Sequence, residues 1–134
     1  STLERSSAAS DVYKRQIMGK KKLGAIELKP KRKFYDYDAK YKKSAKTKHI
    51  IPIKISKSYL NKVLNISLKA HNLLGCRGVT RSDFKFFKNK FYLLETNTQP
   101  GMTKLSLVPE IAAHNGISFF DLIKWILNNA STKR

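Results

Sequence analysis

Leu93-Leu-Glu-Thr-Asn-Thr-Gln-Pro-Gly-Met-Thr-Lys-Leu105 is the stretch from which the rest of the chain can be read. Glu95 and Asn97 stand two apart in a strand-like run, so their side chains leave the same face. Just upstream, Val79-Thr-Arg-Ser-Asp-Phe-Lys-Phe-Phe87 places Arg81 and Asp83 two apart in the same way. Lys88-Asn89-Lys90 between them is polar and reads as a short hairpin loop, with Asn89 able to take a left-handed conformation. Pairing Phe87 with Phe91 sets Asp83 opposite Glu95 and Arg81 opposite Asn97. Two facing carboxylates repel unless a cation or a proton lies between them. Carboxylate and amide oxygens of this kind suit Mg²⁺, which fills the rest of its shell with substrate phosphates.

The chain has 134 residues, one domain's worth or part of a larger enzyme, and 41% apolar content can support a core. A formal net charge of +19 is large for that size. Most of the excess lies in Lys20-Lys-Lys22, Lys29-Pro-Lys-Arg-Lys33 and Lys40-Tyr-Lys-Lys43, with Lys46 and Lys48. Taken alone, it admits a nucleic-acid surface, a basic proteome or a solvated face. Cys76 is the only cysteine, which excludes an internal disulfide framework and points to a reducing compartment. Lying between a helix pattern and a strand pattern, it reads as a small buried hydrophobe rather than a nucleophile. No run approaches the ~20 apolar residues that cross a bilayer. Ser1 to Gln16 lacks the apolar core of a signal peptide, and its Ser/Ala-rich composition differs abruptly from the lysine-rich sequence after it. It reads as a disordered tail or as sequence foreign to the domain.

Strands are expected near Ile17-Met18 and Leu23–Leu28, joined across Gly19-Lys-Lys-Lys22. Phe34-Tyr-Asp-Tyr-Asp-Ala-Lys-Tyr41 has no clear period and is a candidate functional loop. His49–Ile55 reads as extended, with Pro52 favouring an edge. Ser56 or Ser58 can cap a helix carrying Leu60, Val63, Leu64, Leu68 and Leu74 at helical spacing, with Gly75 at its C′ position. After the hairpin, Gln99–Lys104 is irregular and its glycine lets backbone approach a ligand. Pro109 can open a short helix ending before Gly116. Ser118 caps a last helix, with Asp121 approximating a capping box and Phe119, Leu122, Ile123, Ile126 and Leu127 as its core stripe. This order of elements gives an α+β domain.

These segments, taken in order, resemble the carboxy-terminal part of D-alanine–D-alanine ligases of the ATP-grasp superfamily. The resemblance rests on Phe34–Tyr41, on Gly75-Cys-Arg-Gly78, on Arg81-Ser-Asp83, and above all on Leu93–Thr103 followed by Ser106-Leu-Val-Pro109. It covers residues 17–134 as an ATP-grasp carboxy-terminal domain, an antiparallel sheet packed with helices, and leaves only Ser1 to Gln16 outside. What it implies is an ATP-dependent ligation. One D-alanine carboxylate is phosphorylated, the amine of a second attacks the acyl phosphate, and D-alanyl-D-alanine is released for peptidoglycan precursors.

Carried over to this chain, the resemblance implies that Asp83, Glu95 and Asn97 hold two Mg²⁺ ions (Mn²⁺ as an alternative), with Glu95 bridging. Arg81 and the backbone N–H of Gly101 would stabilise the tetrahedral oxyanion. Ser106 and the Leu107 amide would receive the second D-alanine's carboxylate. Lys40 would reach the γ-phosphate of ATP and Tyr41 would lock a closed lid that keeps water from the acyl phosphate. Asp36, Asp38 and His49 receive no role, and solvation explains Lys104.

Such ligases are about twice this length or longer. The resemblance therefore implies a fragment, inactive alone, of a cytoplasmic bacterial enzyme that is a homodimer at full length, with D-alanine and ATP as partners and neither nucleic acid nor membrane. The nearest alternatives are D-alanine–D-lactate or D-alanine–D-serine ligases. A basic RNA-binding module would explain the charge but gives no use to Glu95–Gly101.

Overall fold

Lys88 and Asn89 both take positive φ, 47° and 61°, and close a two-residue turn between β4 (Val79–Phe87) and β5 (Lys90–Asn97). Such a turn matches the natural twist of the strands it joins. The expected loop of three residues is thus shorter by one, and Phe87 pairs with Lys90 rather than Phe91. A bulge restores the register nearer the loop 98–106: Phe84 pairs with Leu93 but Asp83 with Glu95, leaving Leu94 as the extra residue. Arg81 pairs with Asn97, as the sequence predicts.

The computed structural model describes residues 12–29 and 48–132. Besides β4 and β5 it has β1 (Val12–Met18), β2 (Lys21–Lys29) and β3 (Lys48–Ile50), all antiparallel in the order β3-β2-β1-β4-β5. Among the described residues three helices complete the α+β fold: α1 (Lys57–Leu73), α2 (Leu107–His114) and α3 (Phe119–Asn129). The segment Phe34–Tyr41, with Lys40 and Tyr41, lies outside the described residues.

β1 corrects an expectation. Residues 12–16, read as the end of a tail, form most of the central strand, because Val12, Tyr13 and Ile17 continue a strand pattern that the compositional break conceals. β3 is an edge strand as Pro52 implies, but it ends at Ile50. α2 starts two residues before Pro109, with Ser106 at the N-cap.

The sheet is covered unequally. α1 packs on one face, where Val63 meets Tyr13, Ala25, Ile53 and Phe84, with Phe86 and Phe91 alongside. Ser56 caps it, its hydroxyl accepting from the Tyr59 N–H at 3.3 Å. At its end the Cys76 N–H bonds the His71 carbonyl and the Gly75 N–H bonds the Asn72 carbonyl, with Gly75 at φ 67°. α1 buries Ser67 and His71 beside Val63 and Leu64, while Leu74 is exposed. On the other face α2 and α3 bury Met18, Ile26, Leu28, Val108, Ile111 and Leu122. Leu122 is the one fully buried residue of the expected α3 stripe, and Phe119 and Leu127 face solvent.

Lys14, Arg15 and Gln16 are all buried in β1. Arg15 points toward the α1 face, its guanidinium 5.0 Å from the Tyr13 ring centroid, 5.5 Å from Phe91 and 5.9 Å from Phe84. The rings offset part of its desolvation, yet among the described residues none of its three side-chain nitrogens has a hydrogen-bond partner. Burial pulls its pKa down to about 10, against the attraction of Tyr13 and Glu27. An apolar side chain suits this site better. Arg15→Leu is expected to raise stability by about 1–4 kcal/mol, read as a higher urea midpoint at unchanged m-value; an unchanged or lower midpoint would contradict this account of the core.

His71 is buried with Nδ1 2.8 Å from Thr80 Oγ1. Burial lowers its pKa below 6.5, opposed in part by a backbone hydrogen bond with Cys76. The folded chain therefore favours neutral imidazole. The resulting stabilisation is present above pH 6.5 and is lost as pH falls through the lower folded value. Unfolding free energy should fall in that window with a slope of at most about 1.4 kcal/mol per pH unit from this one proton. In His71→Gln that component of the slope should vanish in denaturant titrations at stepped pH.

Candidate active-site corner on the β4–β5 half of the sheet

On its own face α2 packs chiefly against β2, and the β4–β5 end of the sheet lies beside it. The side chains of Arg81, Asp83, Glu95 and Asn97 emerge there, because the bulge at Leu94 keeps Glu95 and Asn97 on the face of their register partners. Asp83 is buried and its carboxylate is shared. Arg81 Nε donates to Oδ1 at 2.9 Å and Arg81 Nη2 to Oδ2 at 3.3 Å, a bidentate grip that fixes the guanidinium plane. The same Nη2 lies 3.8 Å from Glu95 Oε1, and the Glu95 side chain is 62% exposed. Asn97 Oδ1 accepts from the Gln99 N–H at 2.9 Å, which turns the chain out of β5.

Lys14 supplies what the sequence reading lacked. Its ammonium donates to Asp83 Oδ2 from β1, whose register sets Lys14 opposite Asp83. Burial lowers its pKa below that of an ordinary lysine, while Asp83, and more weakly Glu95, favour the charged form. The strand propensity of Val12-Tyr13 ahead of Ile17-Met18 was the available signal for a strand reaching back to Lys14.

Past β5 the loop 98–106 brings Gly101 and Ser106 together: a Cβ built on Gly101 would stand 3.0 Å from Ser106 Oγ. That hydroxyl does not cap α2. It accepts from the Thr103 N–H at 3.1 Å and contacts Thr103 Oγ1 at 2.8 Å. The first N–H groups of α2, starting with Leu107, are thus without a side-chain acceptor from the N-cap, a setting that favours an anion. Behind them His49 Nδ1 pairs with Glu110 Oε2 at 2.7 Å. A cavity of about 370 Å³ there is lined by His49, Lys104, Pro109, Glu110 and Phe119. It adjoins the start of α2 and none of the four residues of the β4–β5 corner lines it.

The set Asp83, Glu95 and Asn97 fits a hard divalent cation in donor chemistry, since all three offer oxygens and two carry charge. It contains only two carboxylates, and among the described residues no three His, Cys, Asp or Glu side chains gather as ligands. The cationic neighbours Arg81 and Lys14 now occupy Asp83. Cys76 stands apart at the end of α1, its thiol pKa pushed up by burial, which disfavours the thiolate a nucleophile needs. No helix among the described residues is long and apolar enough to cross a membrane.

Both the order of these elements and the residues they carry have counterparts in known proteins. A family model described as the D-ala D-ala ligase C-terminus matches residues 7–128. The D-alanine–D-alanine ligase of Pelagibacter ubique is 69% identical over 118 residues, which are 88% of this chain and 39% of that protein. The ligase of Rhodospirillum rubrum is 47% identical over 114 residues, 85% of this chain and 37% of its own. Among solved structures, a D-alanine–D-alanine ligase from Bacillus anthracis superposes with a TM-score of 0.74 at 30% identity, covering 89% of this chain and 38% of that one. The same enzyme complexed with ATP gives a TM-score of 0.73. The chain spans about two fifths of the length of the relatives it matches. With a family model that runs from the approach to β1 through nearly all of α3, and an antiparallel sheet that superposes on a solved ligase, this chain belongs to the D-ala D-ala ligase C-terminus family.

Proposed function

We propose that this chain is the catalytic carboxy-terminal portion of a bacterial, cytoplasmic D-alanine–D-alanine ligase that joins two D-alanines at the expense of ATP through an acyl phosphate. The observation that carries it is the pairing of Asp83 with Glu95 and Arg81 with Asn97 on one face of the sheet, in a chain of this family. Mg²⁺ or Mn²⁺ held by Asp83, Glu95 and Asn97, with Glu95 shared between two ions, would neutralise the phosphates of ATP as charge moves.

The chain's own residues do the rest. Arg81, its plane set by Asp83, directs guanidinium N–H groups at the oxyanion that forms when the amine attacks. The Gly101 N–H assists, since the glycine leaves room against Ser106 for backbone to approach. Ser106 Oγ and the Leu107 N–H at the start of α2 receive the second D-alanine's carboxylate, and its amine is thereby held for attack. Lys40 and Tyr41 belong to the lid in this reading, Lys40 on the γ-phosphate and Tyr41 holding the closed form. The full-length enzyme is a homodimer, with peptidoglycan precursor synthesis as its role, and Ser1–Gln16 is sequence foreign to the domain. The burial of three consecutive polar residues, Lys14-Arg15-Gln16, in a central strand supports that last point.

In a full-length parent, Glu95→Gln should lower turnover by at least about 100-fold, measured as phosphate release with D-alanine and Mg²⁺-ATP. Near-normal turnover would remove Glu95 from the metal assignment. Ser106→Ala should raise KM for the second D-alanine more than it lowers kcat. The 134-residue chain alone should release no phosphate above background under the same conditions.

A further inference from the structure

Ser106 stands at the N-cap of α2 but turns its hydroxyl to Thr103, so it does not hold the first turn by its side chain. The hydrogen bond that closes that turn runs from the Glu110 N–H to the Ser106 carbonyl at 3.2 Å. Pro109, between them, has no N–H to give. Glu110 also reaches out of the helix. Its Oε2 lies 2.7 Å from Nδ1 of His49 on β3. An ionised carboxylate only accepts, so Nδ1 carries the hydrogen whichever charge the imidazole bears.

Register places His49 for this contact. It pairs with Leu28 of β2, and Leu28 is buried on the face that α2 covers, so His49 emerges on that face too. At the other end of α2, Asn115 Nδ2 donates to the Leu23 carbonyl of β2 at 2.6 Å and to the Ile111 carbonyl at 2.7 Å. A helix of 8 residues is thus tied to the sheet by a polar contact near each end, with Val108, Ile111 and Ala112 buried between them. Apolar packing is non-directional, whereas a hydrogen bond from a strand sets both distance and angle. Of the two ties, His49–Glu110 acts on the turn that begins at Ser106. The two side chains are 31% and 36% exposed, so the contact is partly screened, and its loss shifts the turn without unfolding it.

We propose that His49 and Glu110 are positioning residues for the second substrate: their contact sets the rotation and depth of the first turn of α2, and so the place where Ser106 and the Leu107 N–H meet a carboxylate. Their role rests on the reading of that turn as the carboxylate site for the second D-alanine, and goes beyond it by naming the pair that aims it. Glu110 also bears a negative charge near a helix N-terminus, which by itself favours the helix. Two conservative substitutions separate aiming from helix support. Glu110→Asp keeps the charge but draws the oxygens back by one methylene, away from His49. His49→Asn keeps an N–H donor close to the position of Nδ1.

The test is steady-state phosphate release by a full-length parent, with ATP and D-alanine varied separately. His49→Ala and Glu110→Asp should each raise KM for the second D-alanine about three- to tenfold, with kcat and KM for ATP within about twofold of the parent. The double variant should be no worse than the weaker single one, because all three lose the same contact. His49→Asn should restore most of the lost affinity. An unmoved KM for the second D-alanine in both single variants, additive effects in the double, or equal losses in kcat and in KM for ATP would overturn the positioning role. Ser106→Ala distinguishes the two levels. A raised KM there, with His49→Ala and Glu110→Asp unmoved, removes the pair and leaves the carboxylate site standing. An unmoved KM in Ser106→Ala removes that site, and the role of the pair with it.

Discussion

One unpaired residue, Leu94, decides which side chains share the Asp83 face of the sheet. With a two-residue turn at Lys88-Asn89 and no bulge, Asp83 would lie opposite Leu94, and Arg81 opposite Thr96. Glu95 and Asn97 would then point toward the α1 face, because a slip of one residue inverts every side chain of a strand. The bulge absorbs the odd residue and returns Glu95 to Asp83. Turn and bulge therefore act as a matched pair. The turn arises from residues that tolerate positive φ, and the bulge lets Phe91 pack on the α1 face while Glu95 and Asn97 serve the other.

Asp83 is the electrostatic hub of that face. It fixes Arg81 through two hydrogen bonds, ties β4 to β1 through Lys14, and faces Glu95 across the β4–β5 pair. β1 shows two fates for a cation placed in a central strand. Lys14 finds a carboxylate and is held in place. Arg15, one residue on, points into aromatic surroundings with no hydrogen-bond acceptor among the described residues. The difference lies in which face each residue meets, and a period of two along a strand makes neighbours opposite in environment.

Much of the architecture was legible because local chemistry and burial agree. Ser56, Gly75 and Ser118 mark helix ends by capping and left-handed geometry, and each is found in that role. The pairs Asp83–Glu95 and Arg81–Asn97 were legible too, although through a loop one residue too long and without the compensating bulge. Polar residues defeated the burial pattern: Ser67 and His71 lie inside α1's packed face because the His71 ring and the Ser67 hydroxyl find partners in Thr80 and the Val63 carbonyl. Apolar Leu127 is outside, since the short helix meets the core chiefly through Leu122, with Trp125 and Ile126 behind it.

The sequence by itself determined the α+β class, the hairpin that carries the four polar residues, the caps, and the family to which those residues belong. Such features are local: spacing sets the face, and side-chain chemistry sets the ends of elements. Tertiary structure alone decided that β1 lies between β2 and β4, and hence that Lys14 reaches Asp83 across 69 positions of sequence. It also decided that Ser106 Oγ turns to Thr103 and leaves the start of α2 open. Strand order and hydroxyl orientation depend on what packs from elsewhere in the chain, and no local pattern carries that information.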